Sequence, residues 1–296
     1  MFPSFLPATV QKLTESTSIY LAQKIEYQPI STPLRPKPIL TTYIHQGQGG
    51  TPILLLHGFD SSVLEFRRLF PRLVVENETL AVDLLGFGLT ERDINVQISP
   101  RTISTHLYCF WQRLIQQPVI LVGTSMGGAA ALDFTLNHPE AVQSLVLIDS
   151  AGMSSGPILG KFIFPPLDTL ATGFLRNPKI RQGISETAYF DKTFASQDAQ
   201  VCAALHLEMS LWNRALISFT KNGGYGSFRK MLNKIQQQTL ILWGENDRIL
   251  GTADAQKFQQ AIINSQLIWI KNCGHVPHLE QPQLTAQYIL NFIQSN

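Results

Sequence analysis

The chain has 296 residues, of which 44% are hydrophobic and 15% are charged, and its formal net charge is +2. Because the charge is small and lysine and arginine are not clustered, no nucleic-acid partner is expected. The three cysteines are widely separated and form no Cys-x-x-Cys pair, which argues against a zinc or redox motif and favours a reduced intracellular setting. No leader-like segment or run of about 18 apolar residues is seen, so we expect a cytoplasmic protein or one that is peripherally associated with a membrane.

The N-terminal part, residues 1–38, is predicted to be an extension of the main domain. Residues 7–25 can place their apolar side chains on one side of a helix that opens at Pro7. A link with three prolines between residues 33 and 38 is expected to lead from this helix to a strand near residues 39–44.

Apolar runs and helical patterns then alternate along the chain. Strands are predicted at 52–58, 80–83, 119–122, 145–149, 239–243 and 267–270, and helices at 103–116, 127–137, 253–263 and 282–293. This alternation is typical of a mostly parallel sheet flanked by helices. We therefore expect one α/β core, formed by residues 39–151 and 235–296.

The alternation is interrupted between residues 152 and 234, which are helical and aromatic in character without a strand-like run. We interpret this segment as a helical cap inserted after the sixth strand, where an insertion is tolerated. Its apolar side chains either hold the cap together or line a pocket. They are Ile158, Leu159, Phe162, Ile163, Phe164, Leu167, Leu170 and Phe174.

Residues 121–128 join the end of an apolar strand to a Gly-x-Ser-x-Gly pentapeptide, after which a helix is predicted. Ser125 is therefore expected on a sharp turn between strand and helix, where strained backbone angles expose its hydroxyl as a nucleophile. Gly123 and Gly127 make this turn possible, because a side chain at either position would collide with the strand or the helix.

A serine nucleophile needs a base, and the base needs an acid to orient it. Asp247 follows the predicted seventh strand and His275 follows the eighth, so both lie beyond the carboxyl ends of strands, as Ser125 does. Open α/β sheets assemble their sites at this edge. Asp149, at the end of the sixth strand, is the alternative acid, and His278 is the alternative base.

The oxyanion formed by attack on a carbonyl requires preorganised N–H donors. The backbone amides of Phe59 and Met126 are the candidates for this oxyanion hole. Gly58 allows the loop after an early strand to approach closely, and His57 is expected to brace that loop with hydrogen bonds. Asp83 is expected to hold a neighbouring loop. The serine mechanism needs no cofactor and no metal, so neither is expected.

Five motifs occur in order over nearly the whole chain, and together they resemble the α/β-hydrolase family. They are His57-Gly58-Phe59, Asp83-x-x-Gly86-x-Gly88, Gly123-x-Ser125-x-Gly127, Gly244-x-x-Asp247 and Gly274-His275-x-Pro277. The resemblance implies an α/β-hydrolase fold with a mostly parallel eight-stranded sheet, and a Ser-Asp-His triad that cleaves a carboxylic ester. A serine at position 125 argues against the dehalogenases and epoxide hydrolases of this fold, which need an aspartate there.

Further segments resemble a plant and cyanobacterial group that includes the chlorophyll dephytylases. They are Phe5-Leu6-Pro7, His57-Gly58-Phe59-Asp60-Ser61-Ser62, Gly223-Gly224-Tyr225 and Asn272-Cys273-Gly274-His275. This resemblance implies a lipophilic ester substrate such as the phytyl ester of chlorophyll, and peripheral contact with a thylakoid membrane. Met1–Leu6 and Phe162–Phe164 are candidates for an apolar docking face.

Three alternatives to a phytyl esterase stay open at this point. One is an esterase or thioesterase for other lipophilic substrates, and another is a carbon–carbon bond hydrolase with the same triad. The third is a ligand receptor that retains slow hydrolysis. The sequence does not indicate how many subunits associate.

Overall fold

The computed structural model describes residues 1–154 and 167–295, and eight strands and eleven α-helices are assigned within this part. The strands are β1 Glu26–Thr32, β2 Arg35–Gln46, β3 Ile53–Leu56, β4 Thr79–Val82, β5 Val119–Thr124, β6 Val142–Ile148, β7 Gln238–Gly244 and β8 Ser265–Ile270. The helices are α1 Ser16–Ala22, α2 Phe70–Leu73, α3 Pro100–Leu114, α4 Met126–Asn137, α5 Leu167–Arg176, α6 Pro178–Ala188, α7 Gln197–Ala204, α8 Trp212–Lys221, α9 Ala253–Ala261, α10 Pro277–Glu280 and α11 Pro282–Gln294.

The strands form one sheet in the order β1-β2-β4-β3-β5-β6-β7-β8. β2 pairs antiparallel with β1 and β4, whereas the other neighbours pair in parallel. This confirms the predicted mostly parallel sheet of eight strands. Successive side chains of β3 alternate between two apolar cores, so that Leu54 and Leu56 lie in one core and Ile53 and Leu55 in the other. Burial on both faces explains why the parallel strands are continuous apolar runs.

Helices cover both faces of this sheet. Side chains of α3, α4 and α9 contribute to the core that contains Leu54. Side chains of α1, α2 and α11 contribute to the opposite core, which contains Ile53. The two helical layers leave the carboxyl edge of the parallel strands as the place where loops meet.

The N-terminal region differs from the prediction. In place of one helix over residues 7–25, a 3-10 turn at Ala8–Lys12 precedes α1. The predicted proline-rich link is the beginning of β2, which forms an antiparallel hairpin with β1. Prolines are accommodated there because β4 pairs with Tyr43–Gln46 of β2, which leaves the beginning of β2 with β1 as its neighbour, and that pairing is irregular between Ile30 and Thr32. The sheet therefore begins inside the predicted N-terminal extension.

The apolar N-terminus packs against the rest of the chain. Leu6 is buried, and Phe5 stacks on Tyr27 with ring centroids 3.9 Å apart. These contacts engage Phe5 and Leu6 of the predicted docking face, whereas Met1 is fully exposed. The other candidate for that face, Phe162–Phe164, lies outside the described residues. None of the helices described here has the length and apolarity needed to cross a bilayer.

The segment between β6 and β7 contains α5 to α8, and in its described part no strand is assigned. Phe174, one of its predicted apolar residues, is exposed, while the other side chains named for the cap lie outside the described ones. The C-terminal end of α6 packs on the loop after β8, where the amide of His275 donates to the carbonyl of Ala188 at 2.7 Å. The inserted segment thus covers the carboxyl edge of the sheet.

Candidate active site

Ser125 occupies the single residue between β5 and α4, with φ of +49° and ψ of −118°. Its carbonyl oxygen accepts a hydrogen bond from the amide of Ala151 at 2.9 Å, which helps to hold this strained backbone. A Cβ at Gly123 would lie 2.3 Å from the carbonyl oxygen of Gly127, and a Cβ at Gly127 would lie 2.1 Å from that of Leu56. The turn therefore requires glycine at both positions.

His275 and Asp247 are joined by a hydrogen bond. Nδ1 of the imidazole lies 3.0 Å from Oδ2 of the carboxylate, and both residues are buried. Oδ1 of Asp247 accepts the amides of Ile249 and Leu250 at 2.7 and 3.1 Å. Burial acts to raise the pKa of Asp247, but the hydrogen bond from His275 and the two amides outweigh it, so the pKa lies below its usual value. Asp247 is therefore an ionised and oriented partner for the imidazole.

Ser125 and His275 line one cavity. Since Asp247 occupies Nδ1 of the imidazole, Nε2 is the ring nitrogen that is left for the serine proton. In the described structure the serine hydroxyl makes no hydrogen bond to the imidazole. Such bonds are often long in unliganded sites and shorten when substrate binds. The structure thus brings the three residues to one edge, with the acid and the base already joined.

The alternative acid, Asp149, lies in the same cluster. A carboxylate oxygen of Asp149, a carboxylate oxygen of Asp247 and a ring nitrogen of His275 lie within 4.8 Å of one another. Oδ1 of Asp149 accepts the amide of Gly244 at 3.0 Å. Burial and the nearby charge of Asp247 raise the pKa of Asp149 well above its usual value, which favours the protonated form. Asp247 is therefore the carboxylate that contacts the imidazole.

The two amides predicted as oxyanion donors both belong to residues near Ser125. Met126 is the first residue of α4, and Phe59 lies in the loop after β3 and lines the cavity. Within the described part of the chain, neither amide donates a hydrogen bond. A helix N-terminus also favours negative charge, so an oxyanion would be stabilised at this position.

His57 braces the loop that carries Phe59. Nε2 of His57 accepts the amide of Leu84 at 3.1 Å, so Nδ1 carries the proton and donates to the carbonyl of Gly58 at 2.8 Å. Burial lowers the pKa of His57 to about 4, which keeps the ring neutral and this arrangement intact. His57 thus fixes the backbone beside Phe59.

Asp83 holds two neighbouring loop segments together. Its carboxylate accepts the amides of Val63 and Leu89, each at 2.6 Å. A Cβ at Gly88 would lie 2.1 Å from the carboxylate carbon, so the loop approaches as closely as glycine allows. Burial raises the pKa of Asp83 to about 7, and the two amides act in the opposite direction.

Glu65 is a site residue that the sequence analysis missed. Its carboxylate accepts the amide of Gly58 at 3.0 Å and the hydroxyl of Thr124, so it ties the loop after β3 to the residue before Ser125. Nε2 of His278 lies 3.2 Å from the same carboxylate. Burial acts to raise the pKa of Glu65, but His278 lowers it to about 2. His278, the alternative base, therefore lies beside the carboxylate of Glu65.

The loop of residues 57–62 carries the predicted oxyanion donor Phe59 and is called the oxyanion loop below. Asp60 links this loop to the cap and was likewise missed. Its Oδ1 accepts hydrogen bonds from Nε2 of His206 at 2.9 Å and Nε1 of Trp212 at 2.8 Å, and its Oδ2 accepts one from Nη1 of Arg181 at 2.7 Å. Burial acts to raise the pKa of Asp60, but His206 and Arg181 lower it to about 2. One carboxylate thus fastens three parts of the cap to the residue after Phe59.

The cavity between core and cap has a volume of about 290 Å³. Phe59, Ser125 and His275 line it, and much of the remaining wall is apolar. The apolar lining includes Leu175, Ile184, Ala188, Ala199, Val276 and Leu279. Apolar walls around a few polar groups are typical of a small-molecule site.

Known proteins share this arrangement of elements. A family model described as alpha/beta hydrolase fold matches residues 51–282. Alpha/beta hydrolase domain-containing protein VTE7 of Arabidopsis thaliana is 30% identical, over 98% of this chain and 90% of its own length. Human monoacylglycerol lipase ABHD6 is 26% identical, over 86% of this chain and 79% of its own length. The solved structure of a serine hydrolase involved in carbazole degradation superposes with a TM-score of 0.76 at 23% identity, covering 92% of this chain and all of that one. The chain therefore belongs to the α/β-hydrolase family.

Proposed function

We propose that this protein is a serine hydrolase that cleaves a lipophilic carboxylic ester through an acyl-enzyme. The observation that carries the proposal is the hydrogen bond of 3.0 Å between His275 and Asp247 at the edge where Ser125 is held with positive φ. A strained serine beside an oriented imidazole is the arrangement that activates a hydroxyl for nucleophilic attack.

In the proposed reaction, the hydroxyl oxygen of Ser125 attacks the ester carbonyl while Nε2 of His275 takes its proton. Asp247 stabilises the imidazolium, and the amides of Phe59 and Met126 bind the oxyanion. The tetrahedral intermediate collapses, the alcohol leaves with the proton from His275, and an acyl-serine remains. Water then attacks the acyl-serine with His275 as base, and the acid product departs as the serine hydroxyl re-forms.

Two observations support a lipophilic substrate. Much of the cavity wall is apolar, and one relative of this chain is a monoacylglycerol lipase. The segments that resemble the group with the chlorophyll dephytylases, among them Gly223-Gly224-Tyr225, support the phytyl ester of chlorophyll in particular. The products would be chlorophyllide and phytol.

The test is to incubate the protein with chlorophyll a, 4-nitrophenyl butyrate and 4-nitrophenyl palmitate in parallel and to separate the products by chromatography. We expect repeated turnover of at least one nitrophenyl ester and the appearance of chlorophyllide, with both lost in Ser125→Ala. Activity that persists in Ser125→Ala would refute the serine mechanism. Ester turnover without chlorophyllide would refute the phytyl ester alone, and a single turnover per molecule would favour a receptor.

A further inference from the structure

Arg67 is a buried cation in the cavity whose hydrogen-bonding capacity is largely unused. It follows the 3-10 turn Val63–Phe66, is 2% exposed and lines the same cavity as Ser125. Its Nε is buried and has no hydrogen-bond partner in the described structure. Nη2 reaches the hydroxyl of Tyr189 at 3.5 Å, which is the limit of hydrogen-bonding distance.

The carboxylates near Arg67 are engaged elsewhere. Glu15, whose Oε2 lies 4.0 Å from Nε of Arg67, receives hydrogen bonds of 2.7 and 2.9 Å from Arg68. Asp60 and Glu65, which also line the cavity, hold the cap and the oxyanion loop as described above. Of these three carboxylates, Arg67 approaches that of Glu15 at 4.0 Å, and this carboxylate is already hydrogen-bonded by Arg68.

A guanidinium keeps its charge at any pH at which a protein is folded, and a buried charge without a close partner is unfavourable. Its planar fork of N–H donors matches the two oxygens of a carboxylate. We propose that Arg67 and the hydroxyl of Tyr189 form a subsite for a carboxylate on the substrate, separate from the ester that is cleaved. The inference rests on the proposed ester hydrolysis. It extends the substrate class to lipophilic esters that carry a free carboxylate, which the phytyl ester of chlorophyll a lacks.

Arg68 provides a matched control for Arg67. It carries the same charge one position along the chain, but it is not among the residues that line the cavity. Its donors are taken by Glu15 and by the carbonyl of Leu279 at 3.0 Å. An effect of general charge or stability would appear in both variants, whereas a subsite effect would appear only at position 67.

The experiment compares two esters with the same six-carbon acyl chain, 4-nitrophenyl hexanoate and mono-4-nitrophenyl adipate, of which only the second bears a terminal carboxylate. We expect Arg67→Met to lower kcat/KM for the adipate ester about tenfold to a hundredfold and that for the hexanoate ester less than about twofold. Arg68→Met should leave the ratio of the two values unchanged. Tyr189→Phe should lower the ratio by a smaller factor, and it tests the subsite if Arg67→Met does not fold.

Three results would overturn the subsite: an unchanged ratio in Arg67→Met and Tyr189→Phe, an equal fall in Arg68→Met, or wild-type turnover of the hexanoate ester alone. A second readout does not depend on catalysis. Free adipate should raise the melting temperature of the wild-type protein and not that of Arg67→Met, and equal shifts would also overturn the subsite. If neither ester is hydrolysed but adipate still stabilises the wild type alone, the proposed function fails and the subsite stands.

Discussion

Replacement of Asp60 by asparagine should weaken the attachment of the cap to the oxyanion loop. The carboxylate is 7% exposed and accepts hydrogen bonds from His206, Trp212 and Arg181. The backbone of Asp60 has a φ of +49°, a conformation that asparagine tolerates better than most residues. The substitution therefore removes the negative charge and keeps the shape of the side chain and the backbone conformation.

The magnitude follows from the pKa of Asp60, which falls from 3.8 to about 2 in the folded chain. One pKa unit corresponds to about 1.4 kcal/mol, so ionisation contributes about 2.5 kcal/mol to the free energy of unfolding. Because the folded pKa is the lower one, this contribution is present above about pH 4 and is lost as the pH falls through about 2. Asparagine imitates the protonated acid, so Asp60→Asn should lose about 2.5 kcal/mol at pH 7, or roughly 5 to 10 °C in Tm.

The assay is unfolding by urea and by heat from pH 7 to pH 3, with Asp93→Asn as the matched control. Asp93 also accepts a hydrogen bond from an arginine, Arg35, at 3.0 Å, but its side chain is 26% exposed and water screens the pair. The control should therefore change little. A loss in Asp60→Asn at pH 7 no larger than that of the control, or one that grows as the pH falls, would refute the reasoning.

Three further predictions concern the site and its support. Gly127→Ala should lower both Tm and activity, because its Cβ would lie 2.1 Å from a backbone carbonyl oxygen. Gly183→Ala, whose Cβ would have nothing within 4 Å, should instead stabilise α6 by about 0.5 to 1 kcal/mol. Calorimetry checks the pair, and equal melting temperatures would contradict this prediction. Glu65→Gln should lower kcat for a nitrophenyl ester about tenfold at nearly constant KM, because a side-chain amide has one oxygen and either Gly58 or Thr124 then loses its acceptor. An unchanged kcat would show that the link between Gly58 and Thr124 through residue 65 is not needed. Asp149→Asn imitates a protonated acid and should lower kcat less than about tenfold, whereas Asp247→Asn should lower it about 10⁴-fold in the same assay, and the opposite order would make Asp149 the acid.

The central strands and the positions of Ser125, Asp247 and His275 could be predicted because each depends on short segments of sequence. Each of these residues follows an apolar run by a few positions, and parallel strands bring their carboxyl ends to one edge. The hairpin of β1 and β2 was missed because prolines weaken a strand pattern, and the edge position that tolerates them is visible only in the folded sheet.

The supporting contacts could not be predicted, because their partners are far apart in sequence. Asp60 and Trp212 are separated by 152 positions, and Glu65 and Thr124 by 59. Asp60 and Glu65 follow an early strand in a segment whose local pattern is ordinary for a loop and a short turn. The packing of the cap and of β5 against this segment brings His206, Trp212 and Thr124 to the two carboxylates.

Covalent labelling with an alkyl fluorophosphonate tests the proposed relay most directly, because the reagent reacts with an activated serine hydroxyl. The intact mass of the wild-type protein should increase by one adduct, and peptide mapping should place that adduct on Ser125. Ser125→Ala should not be labelled, and His275→Ala should be labelled far more slowly. An adduct on a different residue, or labelling of His275→Ala at the wild-type rate, would contradict a nucleophile at Ser125 that is activated by His275.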